Sequence, residues 1–395
     1  MTDFAATRRA FHLPDGITYL DGNSLGPMPR HAADRVAAMM RDEWAGMLIT
    51  GWNRAGWYDQ PRRVGDRIAR LIGAGEGQVV MGDTLSIKVF QALSAALALR
   101  PGRRVILSDS GNFPSDLYVA QGLARMTGAE LRVVAPEDVA AAITPDLAVL
   151  MLTEVDYRTG RRHDMAGLTA AAQGAGALTV WDLAHSAGAV DVDLLGAGAD
   201  FAVGCTYKYL NGGPGAPAFI WVNPRHADAA QPVLQGWMGH AAPFAFDPAY
   251  APAPGIERMR VGTPPVIALA ALEAALDVWE GVDMAALRAR SVALTQAFIA
   301  GVRSACPEVV LASPGDPALR GSQVSLRHPQ AYAVMQALID RGVIGDFRAP
   351  DLLRFGFAPL FNGPDDVDRA VATLAAILRE GSWDQPRFHQ RAAVT

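Results

Sequence analysis

From Gln78 onward the chain alternates short apolar runs with helix-length stretches, and that alternation leaves few folds open. Val79–Met81, Arg104–Ser108, Leu131–Val134, Leu147–Leu152, Ala177–Trp181 and Asp200–Gly204 read as strands. Leu85–Leu99, Ser115–Met126 and Met165–Gly174 read as helices, and a further helix is expected between Val134 and Leu147. Strands that are apolar throughout belong inside a sheet covered on both faces. Helices of this length between them imply right-handed crossovers, so the predicted class is α/β with a mostly parallel sheet.

After Pro264-Pro265 the pattern changes. Two long helices, Val266–Trp279 and Met284–Ser304, precede strands at Gln323–Leu326 and Leu352–Phe357 and helices at Ala331–Arg341 and Asp365–Leu378. The expected organisation is a large unit over 51–280 and a smaller α+β unit over 281–395. An N-terminal arm over 1–50, with a strand at Ile17–Asp21 and a helix at His31–Ala45, is expected to dock on the small unit.

Of the 395 residues 50% are hydrophobic and 19% charged, which suits a globular chain and excludes disorder as its main state. A net charge of -5, with no zinc-finger, basic-zipper or RNA-binding signature, argues against a nucleic-acid partner. Cys205 and Cys306 make no disulfide framework, and the N-terminus lacks the apolar core of a signal peptide. No apolar run is long enough to span a bilayer, so a cytoplasmic protein without a membrane partner is expected. Neither His-Glu-x-x-His nor paired Cys-x-x-Cys occurs, so no metal site is expected.

Chemistry is concentrated where the last two strand runs end. Asp182 closes one, in Asp182-Leu-Ala-His185-Ser-Ala-Gly188, and Lys208 follows the next, in Tyr207-Lys208-Tyr-Leu-Asn211-Gly-Gly213. Ligands of open α/β sheets bind where strands end. Desolvating an ammonium is expensive, and Schiff-base chemistry uses a lysine whose charged form is disfavoured. Sites for pyridoxal 5'-phosphate (PLP) add a carboxylate that keeps the ring nitrogen protonated, which suits Asp182. Taken singly, either residue reads equally as half of a solvated ion pair.

Two other loops open helices. In Asp109-Ser-Gly-Asn-Phe113-Pro114-Ser115-Asp116, Phe113 offers a stacking face and Ser115 and Asp116 supply hydrogen bonds, or one of them simply caps the helix. Asp83-Thr84-Leu85-Ser86 could present free amides to a phosphate, with capping the plainer role. Arg354, inside Leu352-Leu-Arg354-Phe-Gly-Phe357, is either a carboxylate ligand or a solvated edge-strand residue. Gly22-Asn-Ser24-Leu-Gly26 matches a hydrolase nucleophile elbow, but Pro27 and Pro29 intervene before any helix and only one short strand precedes it. It is set aside as a chance match. No Gly-x-Gly-x-x-Gly follows a first strand, which leaves nicotinamide binding unsupported.

These segments together resemble the kynureninases, PLP enzymes of fold type I related to class V aminotransferases and cysteine desulfurases. The resemblance runs from Tyr19-Leu-Asp-Gly-Asn-Ser-Leu-Gly26 to Pro359-Leu-Phe-Asn362, and Phe113-Pro-Ser-Asp116, Asp182-Leu-Ala-His185, Tyr207-Lys208, Gly236-Trp237 and Arg354 carry it best. It implies hydrolytic Cβ–Cγ cleavage of L-kynurenine, or also 3-hydroxykynurenine, to anthranilate and L-alanine in tryptophan catabolism and the route to NAD. Lys208 is then the Schiff-base lysine, Asp182 the partner of the ring nitrogen, and Tyr207 the base of the cleavage step. Asp116, Pro114, Ser115, His185 and Thr153 line the cofactor, with Phe113 stacked on it. Phosphate contacts come from Leu85, Ser86 and Tyr207, joined by Trp237 and Thr263 of a neighbouring subunit in a homodimer with shared active sites. Arg354 takes the substrate α-carboxylate, and Trp52, with Trp57 and Trp237 as further candidates, lines the aryl pocket. Ser86 stands where many relatives have Thr and Phe361 where Tyr is frequent. The rivals are a cysteine desulfurase-like, selenocysteine lyase-like or aminotransferase activity, and a non-catalytic binding member of the fold. Desulfurases usually carry His before the lysine, where this chain has Tyr207, and a reactive loop cysteine, whereas Cys306 ends a predicted helix.

Overall fold

The computed structural model describes residues 2–391. Its strands, in chain order, are β1 (Thr18–Tyr19), β2 (Val79–Met81), β3 (Val105–Asp109), β4 (Glu130–Val134), β5 (Leu147–Thr153), β6 (Leu178–Asp182) and β7 (Phe201–Gly204). They continue with β8 (Phe219–Val222), β9 (Val310–Leu311), β10 (Gln323–Arg327), β11 (Val343–Ile344), β12 (Asp346–Arg348) and β13 (Leu352–Gly356). A seven-stranded sheet runs in the order β2-β8-β7-β6-β5-β3-β4. It is parallel from β4 to β7, and β8 is antiparallel to both of its neighbours.

Side chains alternate across this sheet, as the twofold period of a strand requires. Ile106, Met151, Val180, Val203 and Ile220 pack with the helices Leu85–Ala98 and Pro114–Thr127. Their neighbours Leu107, Leu150, Trp181, Ala202 and Trp221 join the opposite core with Val64, Ile68, Leu272 and Leu276. Both faces are covered, which is why the strand runs are apolar throughout.

A second, antiparallel sheet has the order β12-β13-β10-β9 and packs with the helices Met284–Ala305, Ala331–Asp340 and Pro364–Glu380. The N-terminal segment runs from the helices of the second sheet to the loop after β7 and forms a separate two-stranded sheet with β11. β1 pairs in parallel with β11, Thr7 Oγ1 donates to the Leu360 carbonyl at 2.7 Å, and the Gly26 amide donates to the Tyr207 carbonyl at 2.8 Å. A side chain at Gly26 would run into the Lys208 carbonyl, so only glycine lets this segment lie against the Lys208 loop.

Two local expectations are corrected. Only a three-residue 3-10 turn, Pro136–Asp138, lies between β4 and β5, because Pro136 and Pro145 bracket a stretch too short to nucleate a helix. The N-terminal helix is not uniform: α geometry over Ala32–Ala38 gives way to π geometry over Met39–Trp44. No strand was anticipated at β8, β9, β11 or β12.

Candidate active site

Asp182 is the last residue of β6 and pairs in register with Thr153 at the end of β5. That register aims the Thr153 hydroxyl at the Asp182 carboxylate, 2.9 Å away, while the Ala184 amide donates to its other oxygen at 2.9 Å. Burial raises the carboxyl, and the Lys208 charge and these two hydrogen bonds oppose it. Asp116, buried in the first turn of the helix Pro114–Thr127, is held well above the usual carboxylate range by burial and by Asp182. Its Oδ2 has no hydrogen-bond partner.

Lys208 follows β7 by four positions, and its Nζ lies 2.9 Å from His185 Nε2. Burial and then the Lys208 charge push the buried imidazole well below its ordinary value, so His185 is neutral and accepts from the amine. The hydrogen then sits on Nδ1, which has no partner. Lys208 Nζ also lies 5.9 Å from the Phe113 ring centre and 5.8 Å from that of Tyr207. Burial, followed by the neighbouring Cys205, raises the Tyr207 phenol, which therefore keeps its proton at neutral pH.

Beside this group the helix Leu85–Ala98 begins without a side-chain cap, which leaves the amides of Leu85 and Ser86 open to an anion. Ser86 Oγ lies 2.8 Å from Ser115 Oγ, so the two helix starts meet. An amine, a fixed buried acid, an aromatic face and open amides fit a flat cofactor that carries a basic ring nitrogen and a phosphate.

Arg354 on β13 is sealed rather than exposed. Its Nε donates to Asp346 at 2.6 Å and its Nη2 to the other Asp346 oxygen, while further N–H groups reach Ser24 Oγ at 2.8 Å and the Tyr157 carbonyl at 2.6 Å. Tyr157 packs its ring edge-on against Phe113 at 5.1 Å, which links this network to Lys208.

A family model described as the kynureninase C-terminal domain matches residues 287–374. The kynureninase of Pseudomonas fluorescens is 52% identical over 400 residues, covering 99% of this chain and 96% of that protein. That of Deinococcus radiodurans is 55% identical over 384 residues, covering 95% and 93%. The chain belongs to the kynureninase family. Solved structures share the fold at low identity. The cysteine desulfurase CsdA of Escherichia coli superposes with a TM-score of 0.80 at 20% identity, covering 96% of this chain and 99% of that one. A mutant of C-DES with glycine covalently linked to its PLP cofactor superposes with a TM-score of 0.80 at 17% identity, covering 95% and 99%.

Within this kynureninase-family chain, Lys208, Tyr207, Asp182, His185, Thr153, Asp116 and Phe113 lie together, with Leu85, Ser86, Pro114 and Ser115 at the adjoining helix starts. Trp52, Trp237 and Thr263 are joined to this group by none of these contacts. Trp52 packs edge-on against Trp57 at 6.1 Å, Trp237 against Phe244 at 5.7 Å, and Thr263 is exposed in a loop. Ser24 is tied to Asp346 and Arg354 and not to a histidine, in keeping with its rejection as a hydrolase nucleophile. Among the described residues no group of three or more His, Cys, Asp or Glu is placed to hold a metal ion.

Sequence reasoning passed over Asp346 and Arg348. A signal was present, because Asp346-Phe-Arg348 alternates charges within a short strand just before Arg354. Like charges on one side of a sheet call for a counterion between them.

Proposed function

We propose that this member of the kynureninase family is a PLP-dependent hydrolase that cleaves the Cβ–Cγ bond of L-kynurenine, yielding anthranilate and L-alanine in tryptophan catabolism. The observation that carries the chemistry is Lys208 Nζ, 2.9 Å from a neutral imidazole on the strand end next to Asp182. Full-length identity above half to kynureninases supports the choice of substrate.

Bound PLP supplies an electron sink that stabilises negative charge on the substrate carbons. Lys208 would hold it covalently through Nζ, and Asp182, steadied by Thr153 and Ala184, would keep its ring nitrogen protonated. Leu85, Ser86 and Tyr207 would take the phosphate, joined by Trp237 and Thr263 of a second copy. The Lys208 amine, aimed by its hydrogen bond to His185 Nε2, would remove the substrate's Cα proton and return one there to complete alanine. Water would add its oxygen to Cγ, which leaves as the carboxyl group of anthranilate, and Cβ would take a proton as the Cβ–Cγ bond breaks. The expected role of Tyr207 as base needs an ionised phenol, whereas burial keeps this one protonated. It is better suited to deliver a proton to Cβ first and to act as a base only in return. Arg354 would fix the α-carboxylate, and Trp52 would line the aryl pocket.

A homodimer with shared sites is part of this reading. Ile49 and Phe246 are 76% and 77% exposed, and a groove of about 820 Å³ is lined by Leu13, Leu25, Met28, Val36 and Met40. Apolar surface on that scale favours burial against another chain. Among the described residues no helix is long and apolar enough to cross a membrane, and a cytoplasmic enzyme is proposed.

The desulfurase alternative lacks its nucleophile. Cys306 is buried at the end of the helix Met284–Ala305 and burial pushes its thiol up to about 11, while Cys205 is buried and raised as well. Incubation with L-kynurenine, 3-hydroxykynurenine and cysteine tests the reading. Fluorescent anthranilate from kynurenine is expected, and alanine from cysteine without anthranilate from kynurenine would overturn it.

A further inference from the structure

We propose that Lys88 is a positioning residue of the phosphate seat: it holds the Asp83 carboxylate away from the helix-start amides of Leu85 and Ser86, so that a phosphate and not a side chain takes them. The inference rests on the PLP seat proposed above and adds a residue that acts on it through Asp83.

Of the 35 lysines and arginines in the chain only two are lysines, Lys88 and Lys208. Arginine meets every other need for a basic side chain, and Lys208 has its covalent task, so Lys88 is the exception left to explain. It sits near the start of the helix Leu85–Ala98 and is fully buried, a costly place for an ammonium without partners. Its Nζ donates to Gln91 Oε1 at 2.9 Å, to the Met259 carbonyl at 3.0 Å and to Asp83 Oδ2 at 3.3 Å. Gln91 Nε2 donates to the same carbonyl at 3.2 Å, which turns its Oε1 toward Lys88. Three acceptors call for three hydrogens, so the group is an ammonium even though burial lowers its pKa against the pull of Asp83. A compact point charge fills such a seat, and the planar fork of an arginine does not.

Asp83 is where this charge matters. It directly precedes the N-cap Thr84, and aspartate is among the residues whose side chain most readily accepts from helix-start amides. Here the Thr84 hydroxyl does not cap the helix, and the Asp83 carboxylate turns to Lys88 instead. Among the described residues Lys88 is the one cation paired with it. The backbone of the turn is held separately: the Gly82 amide donates to the Ala218 carbonyl at 2.9 Å, and the Ala218 amide to the Asp83 carbonyl at 3.0 Å. Lys88 therefore governs the side chain and not the path of the chain. Released from it, a carboxylate that is 33% accessible would either cap the amides itself or set a negative charge beside the phosphate.

The test follows PLP-loaded wild type, Lys88→Met, and a double variant that adds Asp83→Asn to Lys88→Met. Each is diluted to release the cofactor and then reloaded with PLP or with pyridoxal, which lacks the phosphate. The visible cofactor band and the phosphorus NMR resonance of bound PLP are read without turnover, so a wild type that binds PLP but fails to cleave kynurenine leaves the test intact. Lys88→Met should weaken PLP binding roughly tenfold or more and shift the phosphorus resonance, with pyridoxal binding little changed. The double variant replaces the ion pair by neutral groups, a change that buried pairs tolerate, and should recover most of the loss and the wild-type resonance. Should Lys88→Met not fold, the double variant decides alone, with PLP retention near wild type expected and a selective loss of PLP overturning the proposal. PLP binding unchanged in Lys88→Met, equal losses of PLP and pyridoxal, or a double variant as weak as Lys88→Met would reduce Lys88 to a packing role and overturn it as well. A wild type that binds pyridoxal as tightly as PLP would remove the phosphate seat, and the proposal with it.

Discussion

At the Lys208 end, His185 Nδ1, Asp116 Oδ2 and Ser186 Oγ are buried without hydrogen-bond partners, whereas at the Arg354 end Asp346, Ser24, Tyr157 and two guanidiniums satisfy one another. A buried polar atom left unpaired costs about 1–3 kcal/mol, so several in one place mark a seat that an incoming group completes. A closed network can admit a ligand only by exchanging partners. The first arrangement suits a cofactor that stays and the second a substrate that comes and goes. Family membership fits both halves, but it does not by itself say which end is waiting and which is already paired.

The comparison breaks first at Lys208. Lys208→Ala should lose all measurable turnover and the visible band that borohydride abolishes in wild type, and full activity in this variant would remove the covalent assignment. Next is the proton at Tyr207. Tyr207→Phe should lower kcat by about 10²–10⁴-fold with little change in KM, and an unchanged kcat would put the proton donor elsewhere. At the other end, Asp346→Ala leaves two guanidiniums without their shared carboxylate and should cost about 3–5 kcal/mol in urea unfolding. Wild-type stability there would mean that the network is not a frame. Arg354→Ala should combine weaker substrate binding with reduced stability, separable by KM and the unfolding midpoint.

The smallest effect comes from a third buried carboxylate. Asp200 precedes β7, whose other end leads to Lys208, and it is as buried as Asp116 but fully partnered. Burial alone would raise it, yet hydrogen bonds from His226, Arg225, Gln173 and the Thr179 amide outweigh that and hold it down at about 2. Its folded value lies below the unfolded value of about 3.9, so its contribution is complete above that value and lost as pH falls toward 2. Asp200→Asn should flatten this part of the acid-unfolding curve by roughly 2 kcal/mol. An unchanged curve would show that partnering does not set the carboxylate's behaviour here.

Much of the Lys208 end was legible because it depends on local order. Runs apolar on both faces, small residues at their ends and an acid and an amine at adjacent strand termini are all contiguous features. The Arg354 end was not, since Ser24 and Arg354 stand 330 positions apart and meet only when β1 pairs with β11 and Asp21 bridges Gly356. Arg354 was recognised, yet its saturation by Asp346 and Tyr157 could not be. The helix expected between β4 and β5 failed for a related reason. Its alanines have the right propensity, but two prolines shorten the stretch and Val139 is claimed by the core.

The amino-acid order alone determined the α/β alternation, the strand ends and the identity of the acid and the amine, because periodicity and spacing are properties of neighbouring residues. Only the tertiary structure decided that His185 is neutral, Tyr207 protonated, Asp116 unpaired and Arg354 enclosed. Desolvation and hydrogen bonding set those states, and both depend on which distant segments the packed chain brings to each side chain.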